Sequence, residues 1–166
     1  MIPELGQLAL SLALVVALVQ GVFHSLARPA AQAQTLLVAF AFGCLTYAFV
    51  ANDFSVQYVA MNSNSALPLQ YRVAGVWGGH EGSLLLWCLM LGVWMSAVSV
   101  FSGHLPREMA ARVLGVLGLV SAGFLAFMLF TSNPFDRLFP VPADGRDLNP
   151  LLQDPGMVIH PPMLYM

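Results

Sequence analysis

At 166 residues the chain has the length of one globular domain, yet 58% of its residues are hydrophobic, only 8% are charged and the formal net charge is -2. With a mean hydropathy of +0.77 such a composition cannot cover a water-facing surface, which excludes a soluble domain. The chain reads as a membrane protein, and no nucleic-acid partner is expected.

Four apolar runs follow one another: Leu5 to Phe23, Thr35 to Ala51, Ser83 to Phe101 and Val113 to Thr131. Each approaches the roughly 20 residues that cross a hydrocarbon core as a helix. The first is expected to be a retained helix rather than a signal peptide, because Met1 to Glu4 carries no basic residue, although "AQAQ" after Ala30 resembles a cleavage site. A fifth run begins near Met157 and reaches Met166 after only about ten residues, too few to span. The simplest account is an N-terminal piece of a longer protein, or one product of a split gene. The expected fold is thus an all-α polytopic membrane domain over residues 1–166, with four complete transmembrane helices, the start of a fifth, and loops over about 52–82 and 132–156.

There is no lysine, and the six arginines lie outside the apolar runs. Arg28 sits in one short link, and Arg107 and Arg112 flank the other; Arg72, Arg137 and Arg146 are thinly spread over the two long loops. Short arginine-bearing loops stay in the cytoplasm, so the N-terminus and both long loops are expected outside.

Between the second and third runs, Phe54, Val56 and Tyr58 alternate with polar residues, as do Leu69, Tyr71 and Val73, around "NSNSALP". A small surface hairpin and an irregular loop with aromatic anchors fit equally well. The second long loop carries Pro134, Pro140, Pro142, Pro150 and Pro155, which excludes long regular elements; Asn149-Pro150 has the cap-then-proline pattern of a short helix over Pro150 to Asp154. Cys44 and Cys88 fall inside apolar runs and read as small packing residues.

None of the four spans holds Asp, Glu, Arg or His in its central part, which disfavours an ion or proton carrier. The histidines divide by side. His24 and His104 belong to the inner links and read as interfacial. His80 and His160 belong to the outer end, where neutral imidazole can ligate a metal or haem iron.

His80, Trp87 and Trp94 are seven apart and share a helical face. That stripe suits a cavity for a flat ring. It equally suits tryptophans packed on neighbouring helices, with His80 and Glu81 capping the helix start, and spacing alone favours this second reading. Trp77 has the position of an ordinary interfacial anchor. Proline after His160 disfavours the α conformation there, and Pro161-Pro162 stiffens the start of the fifth helix, which would preset the imidazole. Met157 and Met163 flank it three residues to either side.

The strings "VANDFSVQYVAMNSNSALPLQYRVAGVWGGHEGSLLLW", "TSNPFDRLFP" and "DGRDLNPLLQDPGMVIHPPMLYM" resemble the N-terminal part of the CcmF family, the large membrane component of the bacterial system that attaches haem to c-type cytochromes. A related component serving nitrite-reductase cytochromes shares these motifs. The resemblance implies a bacterial inner-membrane protein that receives haem from the haem chaperone CcmE, works with CcmH, and promotes thioether bonds between the CxxCH motifs of apocytochrome c and haem on the outer face. It also implies that His160, matching the histidine of the family's HPP motif, is a haem axial ligand. Trp77, His80, Glu81, Trp87 and Trp94 are then candidates to line the haem cavity or support it from behind. The family's Trp-x-Trp-Asp segment, second outer histidine and in-membrane histidines are expected beyond Met166, so haem lyase activity is an expectation for the complete protein and not for this segment alone. A non-catalytic scaffold or haem-export subunit is the alternative, and a transporter comes third.

Overall fold

The structure, a computed structural model, describes residues 1–166. Its long helices are α1 (Ile2–Val22), α2 (Ala27–Val50), α5 (His80–Phe101) and α6 (Arg107–Thr131), all long and apolar enough to cross a membrane. Three shorter helices are α3 (Gln57–Asn62), α4 (Leu69–Gly75) and α7 (Pro155–Tyr165). With its lipid-type surface, the chain is a multi-pass, all-helical membrane protein.

That surface inverts the soluble pattern. Leu5, Leu8, Leu12 and Val15 of α1 and Val116, Leu119 and Val120 of α6 are exposed, while the buried positions of α1 are mostly small: Gly6, Ala9, Ala13 and Ala17. Where lipid is the solvent, apolar area gives no preference for the interior, and small residues prevail because they let backbones approach. Polar side chains then join the helices. Gln20 Nε2 donates to Leu114 O at 2.7 Å, Thr35 Oγ1 to Gly92 O at 2.7 Å, and Gln34 pairs with Ser121. In sequence-adjacent pairs, α1 packs on α2 and α5 on α6; α1–α6 and α2–α5 contacts close the four into one bundle.

Each long helix starts before its apolar run. The difference is largest for α2, which begins at Ala27 rather than Thr35 because Arg28, Gln32 and Gln34 extend it through the interface, with Gln32 bonded to Ser99 and Arg28 to Ser102. At its other end Asn52, with φ 54°, takes the left-handed position: Asp53 N–H bonds Ala48 O at 2.9 Å and Asn52 N–H bonds Phe49 O at 3.3 Å. Those two bonds satisfy carbonyls that a helix end leaves open, and asparagine tolerates the conformation.

The first long loop forms neither a hairpin nor an irregular coil: it holds α3 and α4. The alternation at Phe54, Val56 and Tyr58 straddles the start of α3, and a single bridge, Val56 with Arg137, joins this loop to the second one. As expected, a short 3-10 helix occupies Pro150–Gln153, with the Asn149 side chain accepting from Leu151 N–H.

Candidate functional site

Two prolines would be expected to break α7, yet the helix runs from Pro155 to Tyr165 and includes His160. Sequence reasoning missed its start. The Asp154 carboxylate caps it, accepting from Gly156 N–H at 2.9 Å and Met157 N–H at 3.2 Å, and Pro155 fills the first helical position, where no N–H is needed. Pro162 brings no N–H to close the usual bond to the carbonyl four residues earlier, that of Val158. Trp77 supplies the donor instead: its indole Nε1–H bonds Val158 O at 2.9 Å. Further along, Trp87 stacks on Tyr165, with ring centroids 5.7 Å apart and an interplanar angle of 14°. The expectation that Pro161 would drive His160 out of the α conformation is therefore corrected. A capped first turn and two tryptophans outside α7 offset that bias.

Trp77 is itself held by the turn that follows it. Tyr58 reaches this turn from α3: its hydroxyl donates to Val76 O at 3.1 Å and accepts Gly79 N–H at 2.9 Å. Burial pushes the Tyr58 hydroxyl well above its ordinary range, so it stays protonated as the donor. Gly82 lies so close beneath that a Cβ there would stand 1.7 Å from Val76 O and 2.6 Å from the Tyr58 oxygen. Only glycine fits. Ser83 Oγ donates to Trp77 O at 2.7 Å and closes the turn.

His80 and Glu81 begin α5, but the N-cap is Gly79 and neither side chain caps the helix. His80 Nδ1 instead shares a hydrogen bond of 3.2 Å with Ser132 Oγ just beyond α6, and its ring meets Phe127 edge-on at 6.2 Å. Glu81 lines a polar pocket of about 350 Å³ with Gln57, Tyr58, Asn62 and Asp136. Trp87 also packs on Phe124 at 4.9 Å; it and Trp94, lower on the same face, are both exposed. Trp77 and Trp87 thus meet α7, His80 meets the end of α6, and Trp94 meets neither.

His160 is exposed and its ring makes no hydrogen bond within the chain. Of the two imidazoles at the loop end of the bundle only this one has both nitrogens free of protein partners. Ligation by neutral imidazole needs such a lone pair, so the residues present fit one axial position of a haem. Tyr58, Asp154, Ser132 and Tyr165 escaped sequence reasoning. Only Asp154-Pro155 carried a local signal, the same cap-then-proline pattern that marks Asn149-Pro150.

A family model described as "Cytochrome C assembly protein" matches residues 77–166, from the tryptophan that holds α7 to the end of α7 itself. The chain is 62% identical to the cytochrome c-type biogenesis protein CcmF of Pseudomonas aeruginosa, over 100% of this chain and 27% of that protein. To the protein of that name from Escherichia coli it is 53% identical, over 100% of this chain and 28% of the relative. The solved structure described as cytochrome c heme lyase CcmF superposes with a TM-score of 0.84 at 28% identity, covering 99% of this chain and 28% of that one. The chain therefore spans little more than a quarter of the length of these relatives. Since the family match covers more than half of its residues, this chain belongs to the cytochrome C assembly protein family.

Proposed function

We propose that this chain is part of a haem-binding membrane factor for cytochrome c maturation in the bacterial inner membrane, acting where haem is joined to the CxxCH motifs of apocytochrome c. The long loops, α7 and the N-terminus face the periplasm, because Arg28, Arg107 and Arg112 flank the two short links. His160 is the axial ligand that this segment contributes. Haem bound there would supply the vinyl groups that react with the client's thiols. What the chain itself does is hold and orient: α7 presents the imidazole, Trp77 and Trp87 fix α7, and His80 ties the start of α5 to Ser132 without ligating, with Glu81 lining the polar pocket beside it. The haem chaperone CcmE, CcmH, apocytochrome c and membrane lipid are the partners of this reading.

One observation carries it. The single loop-end imidazole free of protein partners stands on a helix whose proline-opened carbonyl is held by the tryptophan that opens the family match. Positioning of this kind lowers the entropic cost of aligning a ring with incoming groups.

The test uses the complete protein. His160→Ala should lose haem and stop cytochrome c maturation while protein levels hold, and added imidazole should restore part of both. His80→Ala should retain haem. Loss of haem from His80→Ala, with His160→Ala unaffected, would reverse the two roles. For orientation, Ala66→Cys and Ala143→Cys, both exposed in the loops, should label from outside intact cells, and Gly103→Cys should not.

A further inference from the structure

At the end of the bundle opposite α7, the link between α1 and α2, the start of α2 and the start of α6 frame an open cavity of about 780 Å³, lined by His24, Ser25, Arg28, Arg107, Glu108 and Arg112. Such a volume falls in the roughly 300–1,000 Å³ range of small-molecule sites. Three arginines face one glutamate, which leaves two unmatched positive charges before His24 is considered.

The arginines differ in how they are engaged. Arg28 is braced by one Nη, which donates to Ser102 Oγ at 3.2 Å and Ser102 O at 3.4 Å. Arg112 pairs with Glu108 at 2.5 Å, both side chains well exposed. Arg107 has neither an ion pair nor a hydrogen bond within the chain. His24 lies against α6 at Gly115, where a Cβ would stand 3.4 Å from Nε2, so the ring forms one wall. At the other end of the bundle Arg72 donates to the carbonyls of Leu67 and Ser65 and Arg137 pairs with Glu4, Asp53 and Ser55, while the exposed Arg146 is bonded only through its backbone N–H, to Ala60 O.

Depth points to the ligand. His24 follows the last turn of α1 and Arg107 begins α6, so the cavity opens where the spans leave the hydrocarbon, at headgroup level. A charge preference for one side of the membrane would place arginines here singly; it does not require them to converge on one concavity with a single acid. Guanidinium forks match phosphate oxygens, and the positive end of the long α6 dipole adds to the field. We propose that this cavity binds the phosphate of an anionic phospholipid headgroup. The site depends on the helices spanning a bilayer and not on the haem reading, so either can fail alone.

The test is native mass spectrometry of the complete protein released from nanodiscs containing equal parts phosphatidylglycerol and phosphatidylcholine. Phosphatidylglycerol should be retained in preference to phosphatidylcholine. Arg107→Gln with Arg112→Gln should lower that retention about tenfold, since each arginine near an anionic lipid surface contributes separately. Arg146→Gln, at the other end, should leave it unchanged. Equal retention by the double variant, or an equal loss from Arg146→Gln, would overturn the site. If millimolar inorganic phosphate displaces the lipid as well as short-chain phosphatidylglycerol does, the cavity takes free phosphate and the lipid assignment falls. Should the double variant not fold, the wild type still decides: its lipid preference must weaken as salt rises from about 0.05 to 0.5 M, and constancy would refute the site.

Discussion

The two ends of this bundle are built in opposite ways. At the loop end most polar side chains that shape the mount are consumed internally, the exposed Arg146 side chain excepted: Arg137 ties the second loop to Glu4 and Asp53, Asp144 takes Ser65, Tyr58 takes the turn before α5, and Trp77 takes α7. At the link end the connections are short and Arg107 is left without a partner. One end is a rigid mount for a helix that carries a free imidazole, and the other is an open charged recess. The difference teaches that position within a bundle does not decide whether a polar residue is structural. Its set of partners does.

Substitutions can break that contrast. The largest expected effect comes from Gly82→Ala, whose methyl would collide with the Val76 carbonyl backbone rather than with a flexible side-chain end. It should cost about 3 kcal/mol, the upper part of the overpacking range, and free the loops to protease. Gly103→Ala at the link end meets no atom within 4 Å and should leave the thermal melt unchanged.

A smaller effect should follow acidification. Hydrogen bonds from the Ser65 hydroxyl, Ser65 N–H and Gly145 N–H hold the Asp144 carboxyl below its ordinary value of 3.8. A lowered folded value means that the tether between the loops is complete above about pH 4 and fades as pH falls through that lowered value. Protection over residues 60–66 and 143–147, taken relative to the intrinsic exchange rate at each pH, should therefore fall only below about pH 4, and Asp144→Asn should remove that fall. The smallest effect belongs to Glu108→Gln, because its pair with Arg112 is exposed; stability should change by less than about 0.5 kcal/mol.

Much of the frame was legible in the sequence. Apolar runs locate all four spans, since lipid demands length and apolarity and little else, and Asn149-Pro150 marks the short helix after it. The helix starts were less legible, because Gln32, Gln34 and Arg28 look like loop residues until their partners Ser99, Ser121 and Ser102 are known from another helix. The loops failed for a related reason. Alternation over Phe54 to Tyr58 suits a strand, and only the burial of Tyr58 beside Val76 and Gly79 makes it the first turn of α3. At the candidate site His160, His80 and the tryptophans could be named from the sequence, but not that Trp77 answers Pro162. That pairing joins residues far apart in the chain, and no local pattern encodes it.

Trp77 fixes the His160-bearing helix through the carbonyl that Pro162 leaves open. A double-mutant cycle in the complete protein tests it, read by amide hydrogen exchange across α7. Trp77→Phe keeps an aromatic ring and removes the N–H, and should weaken protection of residues 157–165 by about 1 kcal/mol, a typical net hydrogen bond. Pro162→Ala restores an N–H four residues after Val158, so in that background Trp77→Phe should cost markedly less. An equal loss of protection in both backgrounds would contradict the account and leave Trp77 as a packing residue only.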